Sequence, residues 1–179
     1  MSVAVGMEWD GLHQTLGRIA DIGLKPERLL AAVGVALEDS TVERFNTGRD
    51  PDGVNWESYA PLNSLYERDK KGPGLLVEGG HLRDSIESTV VGNELLVGSP
   101  LIYAGVHQFG AIIVPRKEGV TQLSFMMGGH LIHAHNVHIP ARPYLGLSDE
   151  DRAMVIEELE LALARAVGGD GGLPSAPGF

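Results

Sequence analysis

A chain of 179 residues, 43% hydrophobic and 21% charged, has the make-up of one soluble domain large enough to bury a core. Its formal net charge of −10 argues against a general electrostatic grip on nucleic acid, and zero cysteines exclude disulfides, thiolate metal sites and cysteine nucleophiles. Twenty-four glycines and ten prolines point to many turns and away from a helical bundle. No apolar run reaches the roughly 18 residues of a membrane span, and the opening MSVAVGMEWDG lacks the basic and apolar regions of a signal peptide.

Trp9, Leu12, Leu16 and Ile19 recur at helical spacing and predict a short amphipathic helix over 8–22. Pro26 then stands where a first-turn proline belongs. Leu30, Val33, Leu37 and Phe45 share a stripe that Gly48 closes, so a second helix is expected over 26–46. The run NTGRDPDGVNWESYAPLNS reads as a turn-rich connection anchored by Trp56 and Tyr59, and LYERDKKGPG as a loop with a helical turn. Beyond Leu75 a short helical turn precedes two strands. Ile86, Ser88 and Val90 alternate up to Gly92-Asn93, and Leu95 and Val97 continue the alternation, which is a hairpin pattern. Aromatic and β-branched residues follow, with a strand expected at 111–115. VTQLSFMM, Gly128-Gly129 and HLIHAHNVHI give a second hairpin, ended by Pro140 and Pro143. Ser148 with Asp151 three residues on marks a helix start, and Val155, Ile156, Leu159, Ala162 and Leu163 make its broad apolar face.

The order predicts an α+β fold with N-terminal helices and a C-terminal helix packed on a small antiparallel sheet, from which a β-hairpin projects. One domain over 1–167 is expected, its long apolar hairpin at about 111–139, with a flexible Gly/Pro-rich tail over 168–179. No internal repeat is present.

Chemistry is hardest to dismiss in GGHLIHAHNVHIPAR, where His130, His133, His135 and His138 crowd together. On a strand His133 and His135 share a face, so with His107 they could give three imidazoles to a catalytic zinc, the set a zinc-dependent hydrolase would use. Against this, no Asp or Glu lies between Gly119 and Ser148 to complete or orient such a site. The same face carries Leu131, Val137 and Ile139, among which neutral imidazoles simply pack. Walker-type glycine loops and nucleophile elbows are absent. DPDG at 50–53 lacks the rest of a calcium loop. The acidic pairs Glu38/Glu43 and Asp50/Asp52, and the group His81, Arg83 and Ser85, have no convergent partner. No cofactor is called for.

Between Gly119 and Ala141 no charged residue occurs at all. A hairpin facing water should carry charge, yet this one carries Leu123, Phe125, Met126, Met127, Leu131 and Ile132. Either it folds back over its own core or it is buried against another subunit, with His133 and His135 in the contact.

Four elements, read in order, resemble the phage virion morphogenesis family of Mu-like phages. Pro51, Asp52, Gly53 and Trp56 match its Pro-Asp-Gly…Trp turn. Leu75, Leu76, Gly80, Leu82, Arg83 and Ser85 match its Leu-Arg element, with Glu78-Gly79 where a threonine and glycine are usual. Tyr103, Ala104, His107, Gln108, Phe109 and Gly110 match a Tyr-Ala-x-x-His-Gln-Phe-Gly string, and Pro140, Ala141, Arg142 and Pro143 close the set. The resemblance covers roughly residues 26–165, and the histidine cluster lies outside its motifs. It implies a non-enzymatic structural protein acting late in assembly at the head–tail junction. Such a protein is put together in the host bacterial cytoplasm and carried at the tail or neck of the virion. Its implied partners are copies of itself, commonly in a ring, and other virion proteins such as the tail tube, terminator or head connector, with no membrane and no specific nucleic acid. Tyr103, His107, Phe109 and Arg142 read as core or turn residues, with interface contact as the alternative.

Overall fold

The computed structural model describes residues 10–168. Trp9 of the predicted first helix, and the predicted tail from Gly169, lie outside the described residues. Helix α1 spans Asp10–Leu24 and α2 Glu27–Thr47, the latter ending on Gly48 in the left-handed conformation whose N–H donates to Arg44 O at 2.8 Å. Short α3 (Ser64–Asp69) follows, and Asn63 caps it by accepting from Leu65 N–H. Strands β1 (Glu87–Val91) and β2 (Glu94–Gly98) form the first hairpin, turning at Gly92-Asn93 as the sequence indicates. Residues Ala104–Phe109 form α4, a helix the sequence pattern does not predict. Then come β3 (Ala111–Ile113), β4 (Leu123–Met127), β5 (His130–Ala134), β6 (Val137–Ile139) and α5 (Asp149–Gly168).

The class is α+β, and its strands pair as three separate two-stranded antiparallel sheets. α2 lies across β1 and β2, while α5 packs on α1 and α2. Helix and strand approach closely at Gly34, where a Cβ would sit 2.5 Å from Ser88 Oγ. Glu38 accepts the Ser88 N–H at 2.5 Å, so a helix carboxylate satisfies the strand's free donor. At α5 the predicted start is a reciprocal cap. Asp151 N–H donates to Ser148 Oγ at 3.0 Å, and Ser148 N–H to Asp151 Oδ2 at 2.8 Å. Its apolar face is only partly covered, because Ile156 and Leu159 stay exposed. No helix among the described residues is long and apolar enough to cross a membrane.

Phe45, Trp56, Val77, Leu82, Ile86, Ala104 and Tyr144 form the core. Phe45 meets Trp56 edge-on at 5.6 Å between ring centres and Tyr144 tilted at 5.2 Å. Each of the four sequence motifs, or a residue beside it, contributes to this cluster.

Candidate functional site

Around that core the motif residues build a hydrogen-bonded frame. Trp56 is fully buried, and its indole N–H donates to Pro143 O at 2.8 Å, tying the Pro-Asp-Gly turn to the Pro-Ala-Arg-Pro segment. Gln108 clamps the same segment from α4. Its Oε1 accepts from Tyr144 and Leu145 N–H at 3.0 Å, and its Nε2 donates to Leu145 O at 2.9 Å. One side chain thereby satisfies three backbone groups where no strand continues. Gly110 ends α4 at φ 73°, and a Cβ there would lie 2.9 Å from Ala141 N and 3.0 Å from Ile139 O. Only glycine permits both that backbone angle and that approach. Gly146 does the same service at the far end, where a Cβ would meet Pro51 Cγ at 2.6 Å. Leu82 is core, and the adjacent Arg83 pairs with Asp84 at the surface.

Three buried charged residues complete the frame: Arg44, which nothing in the sequence singles out, and Asp50 and Asp151, which it offers only as an acidic pair member and a helix cap. Arg44 donates to Tyr144 O at 2.9 Å and Gly146 O at 3.0 Å and ion-pairs with Asp151, itself bonded by Ser40 Oγ at 2.5 Å. Asp50 accepts from Val54 N–H at 2.8 Å and from the Tyr59 hydroxyl, fixing the Pro-Asp-Gly turn. The signal for Asp151 was present in its capping spacing to Ser148. Arg44 carried none, since an arginine on an amphipathic helix normally faces water.

Arg142 is only 6% exposed. Its Nη2 donates to Ala60 O at 2.8 Å, its Nε has no partner, and no carboxylate pairs with it among the described residues. Its N–H donates to His107 O at 2.8 Å. His107 stacks edge-on to Tyr103 and lines a cavity of about 160 Å³ with Tyr66, His81 and Leu82, its Nδ1 buried and unpartnered. Burial, and next the Arg142 charge, hold the His107 imidazole below its ordinary range. The consequence for stability has a definite sign. Below about pH 6.5 the unfolded chain takes up a proton at this position that the folded chain refuses. Stability contributed by neutral His107 is therefore present above that pH and drains away as pH falls through the lowered folded value. In denaturant titrations from pH 7.5 to 5.5, wild type is expected to lose stability relative to His107→Gln. Parallel pH profiles of the two proteins would remove His107 as the source.

The long apolar hairpin is an arm built in two storeys, charge-free from Gly119 onward. Its root pairs Ala111 with Ile139 and Ile113 with Val137, and its outer part pairs Leu123 with Ala134 and Met127 with His130. Strand pleating splits the residues predicted to make contact. Leu123, Phe125 and Met127 turn to the half-buried side, where β4 rests on α3 and a Cβ on Gly128 would lie 3.1 Å from Leu65 Cβ. Met126 and Leu131 stand opposite one another on the outer side, 65% and 59% exposed, beside Ser124 and His133. Of the two sequence alternatives, the fold-back thus describes one face and leaves the other open.

The zinc arrangement is not formed. β5 ends at Ala134, so the strand alternation that would align His133 with His135 stops between them. His133 Nδ1 bonds Ser124 Oγ at 2.9 Å, His135 Nδ1 bonds Thr121 O at 2.9 Å, and His107 lies in α4 against Tyr103. Among the described residues no three His, Cys, Asp or Glu side chains group as a metal site. Phe109 departs from its reading as a core or turn residue, for it is 80% exposed, and Ile102 nearby is 98% exposed.

The four motifs that build this frame fall within one family model, and the chain belongs to the phage virion morphogenesis family, whose model matches residues 7–164. It is 30% identical over 145 residues, 78% of this chain and 79% of the relative, to "Putative capsid assembly protein G" of Escherichia phage Mu. It is 26% identical over 149 residues, 83% of this chain and 86% of the relative, to "Mu-like prophage FluMu G protein 2" of Haemophilus influenzae. No solved structure matches the chain.

Proposed function

We propose that this chain is a structural virion protein that completes the tail or neck at the head–tail junction, working as an oligomer against other virion proteins. One observation carries the reading. The motif residues Trp56, Leu82, Gln108, Gly110 and Arg142 are spent on the core and its braces. By contrast, Phe109, Ile112, Met126 and Leu131 stand exposed on the charge-poor α4–β3 segment and arm. A scaffold that fixes its own shape and leaves apolar, charge-poor surface open is suited to binding protein rather than to turnover. The partners in this reading are copies of the chain, arranged as a ring, and the tail tube, terminator or head connector. The site of action is the assembling virion in the host cytoplasm.

Electron micrographs of particles made without the gene test it. Full heads beside unjoined tails are the expected result. Malformed or unfilled heads would move the role to capsid assembly, the step for which the phage Mu relative is named. Joined, infectious particles would end the proposal.

A further inference from the structure

We infer that the outer face of the arm and the α4–β3 segment are the two halves of one head-to-tail contact between copies of this chain. From Leu95 to Ala141 the only charged residues are Arg116, Lys117 and Glu118. Two apolar patches lie on either side of that triplet. Before it come Ile102, Phe109 and Ile112, and after it Met126 and Leu131, all exposed. β3 and β6 pair only with each other among the described residues, so each leaves one edge open, and Ala111–Val114 offers that edge without a charge to protect it. Uncovered strand edges of this composition recruit further chain.

Charge decides the occupant. A copy of this chain brings a net charge of −10, which opposes association wherever acidic surfaces face one another. Two copies approach most easily where neither brings that charge, and the outer face of the arm and the α4–β3 segment both meet that condition. The triplet between them adds complementarity. Arg116 and Lys117 are exposed and form no ion pair within the described residues, so they are free to meet the acidic surface of a neighbour. Methionine and aromatic side chains at the centre with arginine at the edge is the composition of a protein–protein contact. A head-to-tail contact uses one patch from each copy and leaves the other free, so it is heterologous. Each copy presents an arm to one neighbour and an α4–β3 segment to the other, an arrangement that closes into a ring or extends as a filament.

This contact deepens the assembly reading and rests on it for why copies meet. Its test is made on the purified full chain in solution, by sedimentation velocity over a concentration series. Wild type is expected to form oligomers. Phe109→Glu, which damages only the receiving segment, and Met126→Glu, which damages only the arm, are each expected to weaken self-association by about tenfold or more. Both side chains are exposed, and unchanged circular dichroism checks that the fold survives. The deciding sample is the equimolar mixture. An intact arm on Phe109→Glu meets an intact segment on Met126→Glu, so a one-to-one dimer forms and growth stops there. Wild type that stays monomeric, variants that associate as wild type does, or a mixture with no dimer would each overturn the contact. Rescue of a phage lacking the gene separates the two ideas. If rescue by wild type succeeds while the mixture gives no dimer, the contact is wrong and the assembly role stands. If the dimer forms but deletion leaves heads and tails joined, the contact stands and the assembly role falls.

Discussion

Asp151→Ala is expected to lower the unfolding free energy by about 3–5 kcal/mol, read from a urea titration at neutral pH. The carboxylate and its partner Arg44 are both buried, so removing one leaves the other as an unpaired charge in the interior. The loss does not stop at the pair. Asp151 also holds the first turn of α5 through Ser148 N–H and ties α2 to α5 through Ser40. Arg44→Leu should cost a similar amount, because it strands Asp151 and leaves Tyr144 O and Gly146 O without their donor. The double variant Arg44→Leu/Asp151→Leu should lose clearly less than the two singles together, since no charge is left unpaired. Single losses under about 1 kcal/mol would mean that the pair behaves as a solvated surface bridge. Acid adds a second reading of the same group. Burial alone would raise the Asp151 carboxyl, but Ser40, the Ser148 N–H and Arg44 outweigh it and hold it below the usual carboxylate range. That part of the stability is present above about pH 4 and lost as pH falls through the lowered folded value, and the alanine variant should not show it.

Long helices and both hairpin turns were legible because they rest on local rules. The stripe Val33, Leu37 and Phe45, the stop at Gly48, and the paired glycines at 128 and 129 carry their meaning in the chain itself. α4 was not legible. Its six residues are too few to show a period, and what holds them is distant: Ala104 in the core and Gln108 bonded to residues 36 and 37 positions away. The candidate residues divide in the same way. Trp56 and Arg142 could be singled out by resemblance, but their partners Pro143 O and Ala60 O are set by the fold. Phe109 ran against expectation because a phenylalanine in an apolar run normally packs inward. The histidine cluster invited a metal reading for want of one fact. Strand β5 ends before His135, and that depends on where the arm bends.

Trp56→Ala is expected to cost about 3–5 kcal/mol, the range for emptying an aromatic site in a packed core. Trp56→Phe divides that loss into two parts. Phenylalanine keeps much of the apolar contact with Phe45 but cannot donate to Pro143 O, so the residual deficit of about 1–3 kcal/mol reports the unpaired carbonyl. The position of that bond gives the substitution a local signature as well. Pro143 lies between Arg142, whose N–H donates to His107 O, and Tyr144, whose N–H donates to Gln108 Oε1. Slackening the carbonyl between them should speed hydrogen exchange at those two amides in Trp56→Phe before the rest of the core opens. α5, anchored separately through Arg44 and Asp151, should keep its protection. Uniform loss of protection over the whole chain would instead show that the tryptophan contributes volume alone, and that the Pro-Ala-Arg-Pro segment is held by Gln108 without it.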